Sequence, residues 1–113
     1  MISQPLKWEN NCFTPCSPSE ATHLKFVVPG PVGQLLLPVM IGGTRAGTNN
    51  WTWNGSVESP TLRPSVLTWN ERLGLRCHSW INDGRAQFLD DTSHEFKGQT
   101  VPLVNFENEV EED

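Results

Sequence analysis

The chain is short and acidic, with 113 residues, 13 Asp and Glu against 8 Lys and Arg, and a net charge of −5. Its length predicts a single domain. Its charge argues against a dedicated nucleic-acid binder, because such proteins need a basic surface to displace counterions from phosphate. Five Trp and five Phe beside nine Gly and nine Pro indicate a small β protein with an aromatic core, since so many helix breakers exclude long helices.

The cellular setting predicted for the chain is the cytoplasm. The three cysteines are an odd number, which indicates free thiols in a reduced compartment. There is no signal segment at the start, and no apolar run approaches the roughly 18 to 20 residues of a membrane span. We expect one β domain over residues 1–106, followed by an acidic tail over residues 107–113, where five carboxylates predict a solvated segment or, alternatively, a contact arm.

Alternating apolar residues and frequent turn signals predict about seven short strands in antiparallel hairpins. Residues 17–20, Ser-Pro-Ser-Glu, have a capping-box signature that allows at most one short helical turn. The expected fold class is all-β, a small antiparallel sandwich or open barrel. Prolines around the first hairpin, formed by residues 24–28 and 34–41, predict that it lies at a sheet edge. The remaining strands are predicted at residues 51–53, 65–69, 73–81, 85–89 and 100–106, with Leu6 and Trp8 on a further strand or anchoring segment.

The clearest local signal is Asp83-Gly84 between two apolar-leaning runs, because this pair suits a two-residue turn whose central residues need positive φ. The resulting register places Cys77 and His78 on opposite faces of the hairpin, so the two can hardly bind one metal ion. The same register sets Ile81 opposite Ala86 and Ser79 opposite Phe88 on one face, and places His78 with Trp80 on the other.

Two tryptophans, Trp51 and Trp53, alternate with polar residues, which puts both indoles on one face of a strand. Paired tryptophans most often cover a small β core, and the alternative is a platform on which a ligand stacks. Together with His78 and Trp80, they are the candidate binding residues of the chain.

Several motifs, spread over about residues 24–103, resemble those of a family of small phage and prophage proteins of unknown function, many of which are labelled as an ammonia monooxygenase. They are residues 51–55 (Trp-Thr-Trp-Asn-Gly), 60–65 (Pro-Thr-Leu-Arg-Pro-Ser), 77–85 (Cys-His-Ser-Trp-Ile-Asn-Asp-Gly-Arg) and 88–89 (Phe-Leu), and His94 with 98–100 (Gly-Gln-Thr). The resemblance implies a viral origin and an all-β fold but brings no reaction. The label itself suits the chain poorly, because ammonia oxidation resides in a membrane-bound copper complex and this chain has too few ligands for one.

The family resemblance also implies a zinc site that this chain has lost. Family members have a Cys-Pro-Gly-Cys turn where this chain has Val-Pro-Gly-Pro at residues 28–31, and a further Cys where this chain has Ser93. The resemblance implies that packing has replaced this metal. A relocated tetrahedral zinc site is chemically allowed, but buried cysteines and lone histidines are more often structural groups. Its ligands would be Cys12, Cys16, Cys77 and His94. We expect no cofactor.

Catalysis is not predicted. Cys77 with His94 would be a nucleophile and base, and Asp90 and Asp91 with His94 a hydrolytic cluster, but no nucleophile elbow or phosphate-binding loop accompanies them. The sequence therefore favours a small non-enzymatic phage accessory protein in the host cytoplasm. It would bind another protein, either a host factor or a defence-system component, and neither nucleic acid nor a membrane. The alternatives are a virion structural or decoration protein, and a zinc-binding protein or metal-dependent enzyme that uses the relocated site.

Overall fold

A computed structural model of the chain describes residues 1–44 and 49–106, and these residues form ten strands in two sheets. The predicted all-β class is confirmed, because the two sheets stack as an open sandwich and the helical segments are only short 3₁₀ turns at Pro18–Glu20 and Glu71–Leu73. The strands are β1 (Ser3–Glu9), β2 (Cys12–Pro15), β3 (His23–Val28), β4 (Gly33–Ile41), β5 (Trp51–Trp53), β6 (Leu62–Arg63), β7 (Val66–Asn70), β8 (Leu75–Asn82), β9 (Arg85–Phe88) and β10 (Thr100–Pro102).

The chain builds one sheet almost completely before it starts the other. The first sheet has the strand order β2-β1-β3-β4-β5-β6, and the second has the order β10-β9-β8-β7. All neighbouring strands are antiparallel except β4 and β5, which are parallel. Pro64 and Ser65 connect β6, at one edge of the first sheet, to β7, at one edge of the second.

The hydrophobic core lies between the two sheets and follows from the alternation along each strand. On β3, Leu24, Phe26 and Val28 are buried while the residues between them are not. On β8, Cys77, Ser79 and Ile81 are buried and the intervening residues are partly exposed. Each sheet thus turns one apolar face inward, as period-two alternation requires.

The predicted central hairpin is confirmed in register. Ser79 pairs with Phe88 and Ile81 with Ala86. Asp83 and Gly84 form the two-residue turn, with φ angles of 52° and 76°. A Cβ atom at position 84 would lie 3.1 Å from the Glu58 carbonyl oxygen, so close backbone approach as well as positive φ favours glycine there.

The prediction that β3 and β4 form an edge hairpin is wrong, because both strands lie inside the first sheet. Pro38 is the last residue of β4 opposite β3, and Val39 is the first opposite β5. The proline therefore marks the point at which β4 changes partners, which sequence alone does not distinguish from an edge.

The strand count exceeds the predicted seven partly because β2 and β6 gave no strand signal. All four residues of β2 are exposed, so they show no apolar alternation, and β6 has only two residues. The predicted turn near Ser17 is present as a single 3₁₀ turn, although the Ser17 side chain contacts Glu20 Oε1 at 3.3 Å instead of capping the backbone. The predicted acidic tail, residues 107–113, lies outside the described residues. No helix within residues 1–44 and 49–106 is long and apolar enough to cross a membrane.

Replacing Leu62 by Ala is expected to destabilise the protein by about 2–5 kcal/mol, because this fully buried side chain would leave a cavity between the sheets. Leu73→Ala is the matched control, since Leu73 is 75% exposed and its truncation should change stability by no more than about 0.5 kcal/mol. Urea unfolding followed by tryptophan fluorescence measures both. Equal effects of the two substitutions would contradict the placement of the core.

Candidate functional site

Three polar side chains from separate segments meet on the outer face of the second sheet. Ser65 Oγ lies 2.9 Å from His78 Nε2. On the other side of the ring, His78 Nδ1 lies 3.1 Å and 3.0 Å from Asp91 Oδ1 and Oδ2. A hydroxyl, an imidazole and a carboxylate in this order form the nucleophile, base and orienting acid of serine hydrolases. Ser65, His78 and Asp91 are hereafter the triad.

Ser65 is positioned by the connection between the sheets. It is half-buried, lies directly before β7, and its carbonyl oxygen accepts a hydrogen bond from Trp51 Nε1 at 3.3 Å. Just upstream, the Arg63 guanidinium donates to the Leu62 carbonyl at 2.7 Å and to Asn82 Oδ1 at 2.8 Å, which links the end of β6 to the end of β8. The nucleophile is therefore attached to both sheets.

His78 lies on the outer face of β8 with its side chain 23% exposed. Its backbone is fixed by Thr92, whose hydroxyl accepts a hydrogen bond from His78 N at 3.0 Å and donates one to His78 O at 2.8 Å. The Leu89 amide donates to the same carbonyl at 2.8 Å. Thr92 is 2% exposed, so these bonds are shielded from water.

Asp91 reaches His78 because hydroxyl groups replace a regular strand ladder after β9. Ser93 N donates to Arg76 O at 2.8 Å, and Arg76 N donates to Ser93 Oγ at 2.8 Å. Residues 92 and 93 thus hold the segment alongside β8, and Asp91 projects onto the outer face. There its Oδ2 also accepts a hydrogen bond from Arg76 Nε at 3.1 Å.

The hydrogen-bond partners of His78 determine which tautomer its neutral imidazole adopts. The hydrogen bond from His78 is the largest effect and lowers the pKa of Asp91 below its ordinary value. Desolvation is the next largest and opposes it, and the hydrogen bond from Arg76 adds a smaller lowering effect. The ionised carboxylate of Asp91 can only accept hydrogen bonds, so His78 Nδ1 carries a proton and is the donor in this contact. In the neutral ring Nε2 is then the acceptor, and the Ser65 hydroxyl donates to it.

Two surface pockets are lined by neighbours of the triad in sequence or in contact, although no triad residue lines either one. The first, of about 450 Å³, includes the residue before Ser65 and the tryptophan that binds its carbonyl; it is lined by Thr44, Asn49, Asn50, Trp51 and Pro64. The second, of about 440 Å³, lies beside the strands that hold His78; it is lined by Leu67, Trp69, Asn70, Glu71, Gly74, Leu75 and Arg76.

The structure brings together two of the four predicted metal ligands, Cys77 and His94. Cys77 Sγ lies 3.3 Å from His94 Nε2 on the inner side of β8, opposite to His78. Burial raises the pKa of the Cys77 thiol and lowers the pKa of His94, so both groups are uncharged near pH 7. A neutral thiol is a weak nucleophile, and this pair is a packing contact beside the Phe88 ring, whose centroid lies 4.8 Å from that of His94.

The other two, Cys12 and Cys16, lie on and directly after β2 in the first sheet. Within residues 1–44 and 49–106, no group of three or more His, Cys, Asp or Glu could hold a metal ion. The relocated zinc site stays a prediction, and so does the absence of a cofactor. At the turn where the resembling family has its Cys-Pro-Gly-Cys, a methyl group on Gly30 would lie 3.4 Å from the Phe96 ring and 3.6 Å from the His94 ring, so this turn packs closely against the segment of His94.

The four predicted binding residues separate into different environments. Trp53 is 1% exposed and belongs to the core, as its alternation allowed. Trp51 is half-buried beside Ser65, His78 belongs to the triad, and Trp80 lies on the outer face with the Arg63 guanidinium 5.2 Å from its ring. Sequence reasoning missed the pairing of His78 with Ser65 and Asp91. The available signal was the outer-face position of His78, where a polar ring needs polar partners.

One family model matches the chain, that described as BubE, bacterial ubiquitination-like system serine protease, over residues 31–89. No curated protein and no solved structure matches. The matched range contains Ser65 and His78 and ends two residues before Asp91. The prediction of a non-enzymatic protein is wrong, because the family is named as a serine protease. The match does not bear on the predicted phage origin.

Replacing Thr92 by Val is expected to destabilise the protein by about 1–3 kcal/mol, because the buried His78 amide would lose the hydroxyl that it donates to. The isosteric change Thr100→Val is the control; Thr100 is exposed on β10, and its effect should stay within about 0.5 kcal/mol. Chemical denaturation measures both. A Thr92→Val protein as stable as the parent would show that the hydroxyl does not hold His78.

Asp91 is expected to titrate below its ordinary pKa of 3.8 in the folded protein, as seen by the NMR shift of its carboxyl carbon. Because the folded pKa is depressed, the stabilisation from this carboxylate is present above about pH 3.8 and is lost as the pH falls through the folded pKa. His78→Ala should raise the midpoint more than Arg76→Ala, since His78 is the larger cause. A midpoint that neither substitution moves would exclude the contact with the imidazole.

Proposed function

Because the chain belongs to the family of bacterial ubiquitination-like system serine proteases, whose model covers more than half of its length, we propose that it is a serine protease of such a system. Ser65 is the nucleophile, His78 the general base and Asp91 the carboxylate that orients the base. The observation that carries the proposal is the pair of consecutive hydrogen bonds, 2.9 Å from Ser65 to His78 and 3.0 Å from His78 to Asp91.

In the first half of the reaction, Ser65 Oγ attacks the carbonyl carbon of a peptide bond in the protein substrate. The hydroxyl proton passes to His78 Nε2, and the resulting imidazolium is stabilised by the Asp91 carboxylate. The tetrahedral intermediate collapses when His78 returns this proton to the leaving amine. The carbon–nitrogen bond breaks and an acyl ester remains on Ser65.

In the second half, water takes the place of the amine. His78 Nε2 accepts a proton from this water as its oxygen attacks the ester carbonyl, and the ester bond to Ser65 Oγ then breaks. The proton returns to Ser65, which restores the free enzyme, and the product leaves as a carboxylic acid. No group outside the triad is needed to balance either half.

The neighbours of the triad act by positioning it. Thr92 fixes the backbone of His78, and Trp51 fixes the carbonyl of Ser65. Arg76 contacts Asp91 Oδ2, which also binds His78, at 3.1 Å, and this contact helps to orient the carboxylate toward the imidazole. Prearranged partners of this kind reduce the reorganisation that the site needs during the reaction.

A family name that places the chain in a ubiquitination-like system also supports a protein as the substrate. Ser65 is half-buried at the surface and the pockets lined by its neighbours are open, which suits a polypeptide better than a small molecule. We therefore infer that the expected protein partner is a substrate, which the enzyme cleaves.

A fluorophosphonate probe, which forms a covalent bond with activated serine hydroxyls, tests the proposal. The parent protein is expected to be labelled at Ser65, as located by peptide mass spectrometry. Ser65→Ala should abolish labelling, and Asp91→Asn should slow it on the order of 10⁴-fold, because the wrong tautomer of His78 would then be favoured.

Ser19→Ala is the matched control, since Ser19 is exposed on the 3₁₀ turn of the first sheet and contacts only Ser17 among the described side chains. It should be labelled at the parental rate. Circular dichroism confirms that each variant is folded. Labelling that persists in Ser65→Ala, or that occurs on another serine, would refute the assignment of the nucleophile.

A further inference from the structure

The strand that follows Ser65 has backbone groups that point away from its own sheet. On β8, the His78 carbonyl accepts from Leu89 and the Arg76 carbonyl accepts from Ser93, so both residues direct their peptide groups toward β9 and the segment after it. In an antiparallel strand the N–H and C=O of one residue point to the same side, and successive residues alternate. The bonds from β8 to β7 therefore come from the odd-numbered residues of β8.

This alternation identifies the open groups of β7. Leu67 is opposite His78 and Trp69 is opposite Arg76, so these are the non-hydrogen-bonded pairs of the ladder. The N–H and C=O groups of Leu67 and Trp69 consequently face the other side of β7. That side is the edge of the sheet, and no strand among the described residues pairs with it.

An open edge of this kind is normally protected against pairing with other chains by charges, prolines or bulges. β7 has the sequence Val-Leu-Thr-Trp-Asn, without any charge or proline. Its outward side chains are apolar and accessible, with Leu67 37% and Trp69 63% exposed. Together these features make β7 a surface prepared to accept another extended chain.

The position of the open edge relative to the nucleophile gives it a role. At Ser65 the same side of the chain is already occupied, because the Ser65 carbonyl accepts from the Trp51 indole. The open groups thus begin at Leu67, two residues or roughly 7 Å beyond the nucleophile. A chain lying on β7 would pass Ser65 and continue toward the pocket of Trp51 and Pro64.

Resting on the proposed function, we propose that the enzyme binds its substrate as an added strand on the edge of β7. The ligand is an extended, unfolded segment of a protein, with backbone hydrogen bonds to Leu67 and Trp69 and apolar side chains against theirs. Strand addition of this kind obtains affinity from main-chain bonds and selects side chains at alternate positions. A folded region of a substrate cannot present such a backbone, so cleavage is confined to tails and linkers.

Amide hydrogen exchange tests the open edge without reference to catalysis. In the free protein the amides of Leu67 and Trp69 are expected to exchange rapidly, while that of Thr68, which faces β8, is protected. Protection of Leu67 and Trp69 at every protein concentration would overturn the proposal. Protection that rises with concentration, together with a dimer in sedimentation, would assign the edge to a second copy of the chain and overturn it as well.

The second test uses a library of randomised hexapeptides, with cleavage followed by mass spectrometry. Leu67→Pro removes the outward N–H without removing a bond to β8, whereas the control Leu67→Ala keeps the N–H and loses the side chain. We expect Leu67→Pro to cleave the preferred peptides about tenfold more slowly than Leu67→Ala, the change that one lost hydrogen bond produces. Fluorophosphonate labelling of Ser65, which requires the triad but no added strand, reports separately on whether either substitution has disturbed the triad.

Equal cleavage by the two variants, or cleavage of no peptide by a parent protein that fluorophosphonate labels, would overturn strand addition and leave the triad assignment intact. Failure of the parent protein to react with fluorophosphonate would instead overturn the proposed function. If Leu67→Pro alone also loses labelling, the substitution has disturbed the triad. In that case the test uses preferred peptides in which one backbone nitrogen at a time is methylated, which removes its N–H donor. Cleavage that is insensitive to N-methylation at every position would overturn strand addition on β7.

Discussion

The double hydrogen bond between the Thr92 hydroxyl and the backbone of His78 is the contact on which the rest of the site depends. Beyond Phe88 the regular pairing of β8 and β9 ends. The Leu89 amide still donates to the His78 carbonyl, but the acceptor for the His78 amide is the Thr92 hydroxyl instead of a strand carbonyl. Asp91 is therefore not part of the β8–β9 ladder, and its side chain turns to the outer face, where it binds His78. A hydroxyl of little more than methyl size thus brings two of the three triad side chains together at the end of a hairpin.

The two faces of β8 place two histidines in different chemical roles. His78 is partly exposed and has a carboxylate on one ring nitrogen and a hydroxyl on the other. His94 meets the inner face, where its neighbours are a buried thiol and the rings of Phe88 and Phe96, and burial lowers its pKa. The outer histidine thus has polar partners on both ring nitrogens, while the inner one is a packing group of the core.

The residue pattern was sufficient for the parts of the fold that obey a local period. It predicted the register of the central hairpin, and with it the outer-face position of His78. It could not predict the triad, because Ser65 lies just outside a strand and Asp91 is turned by the hydroxyls of Thr92 and Ser93 instead of by backbone pairing. Neither position belongs to a periodic pattern of apolar residues. The metal ligands predicted from the sequence in this region, Cys77 and His94, lie on the inner face of β8 instead.

The first sheet also shows where local rules end. Proline in β4 predicted an edge, but the strand changes partners at Pro38 and stays inside the sheet. Which strands become neighbours depends on contacts distant in sequence, such as the parallel pairing of β4 with β5. Local composition therefore predicted the class of the fold and most of its strands, and it left the order of the strands open.

The connection that carries Ser65 has a consequence for the assembly of the enzyme. The base and the carboxylate belong to one hairpin and its extension, whereas the nucleophile is held by bonds from Trp51 in the first sheet and by the Arg63 link to Asn82 in the second. When only the second sheet has formed, Ser65 already lies next to β7, but the indole of Trp51 that binds its carbonyl is not yet in place. The contacts that hold Ser65 are therefore complete only after the two sheets have docked, so the geometry of this position depends on the packing between the layers as well as on the sheet that holds His78.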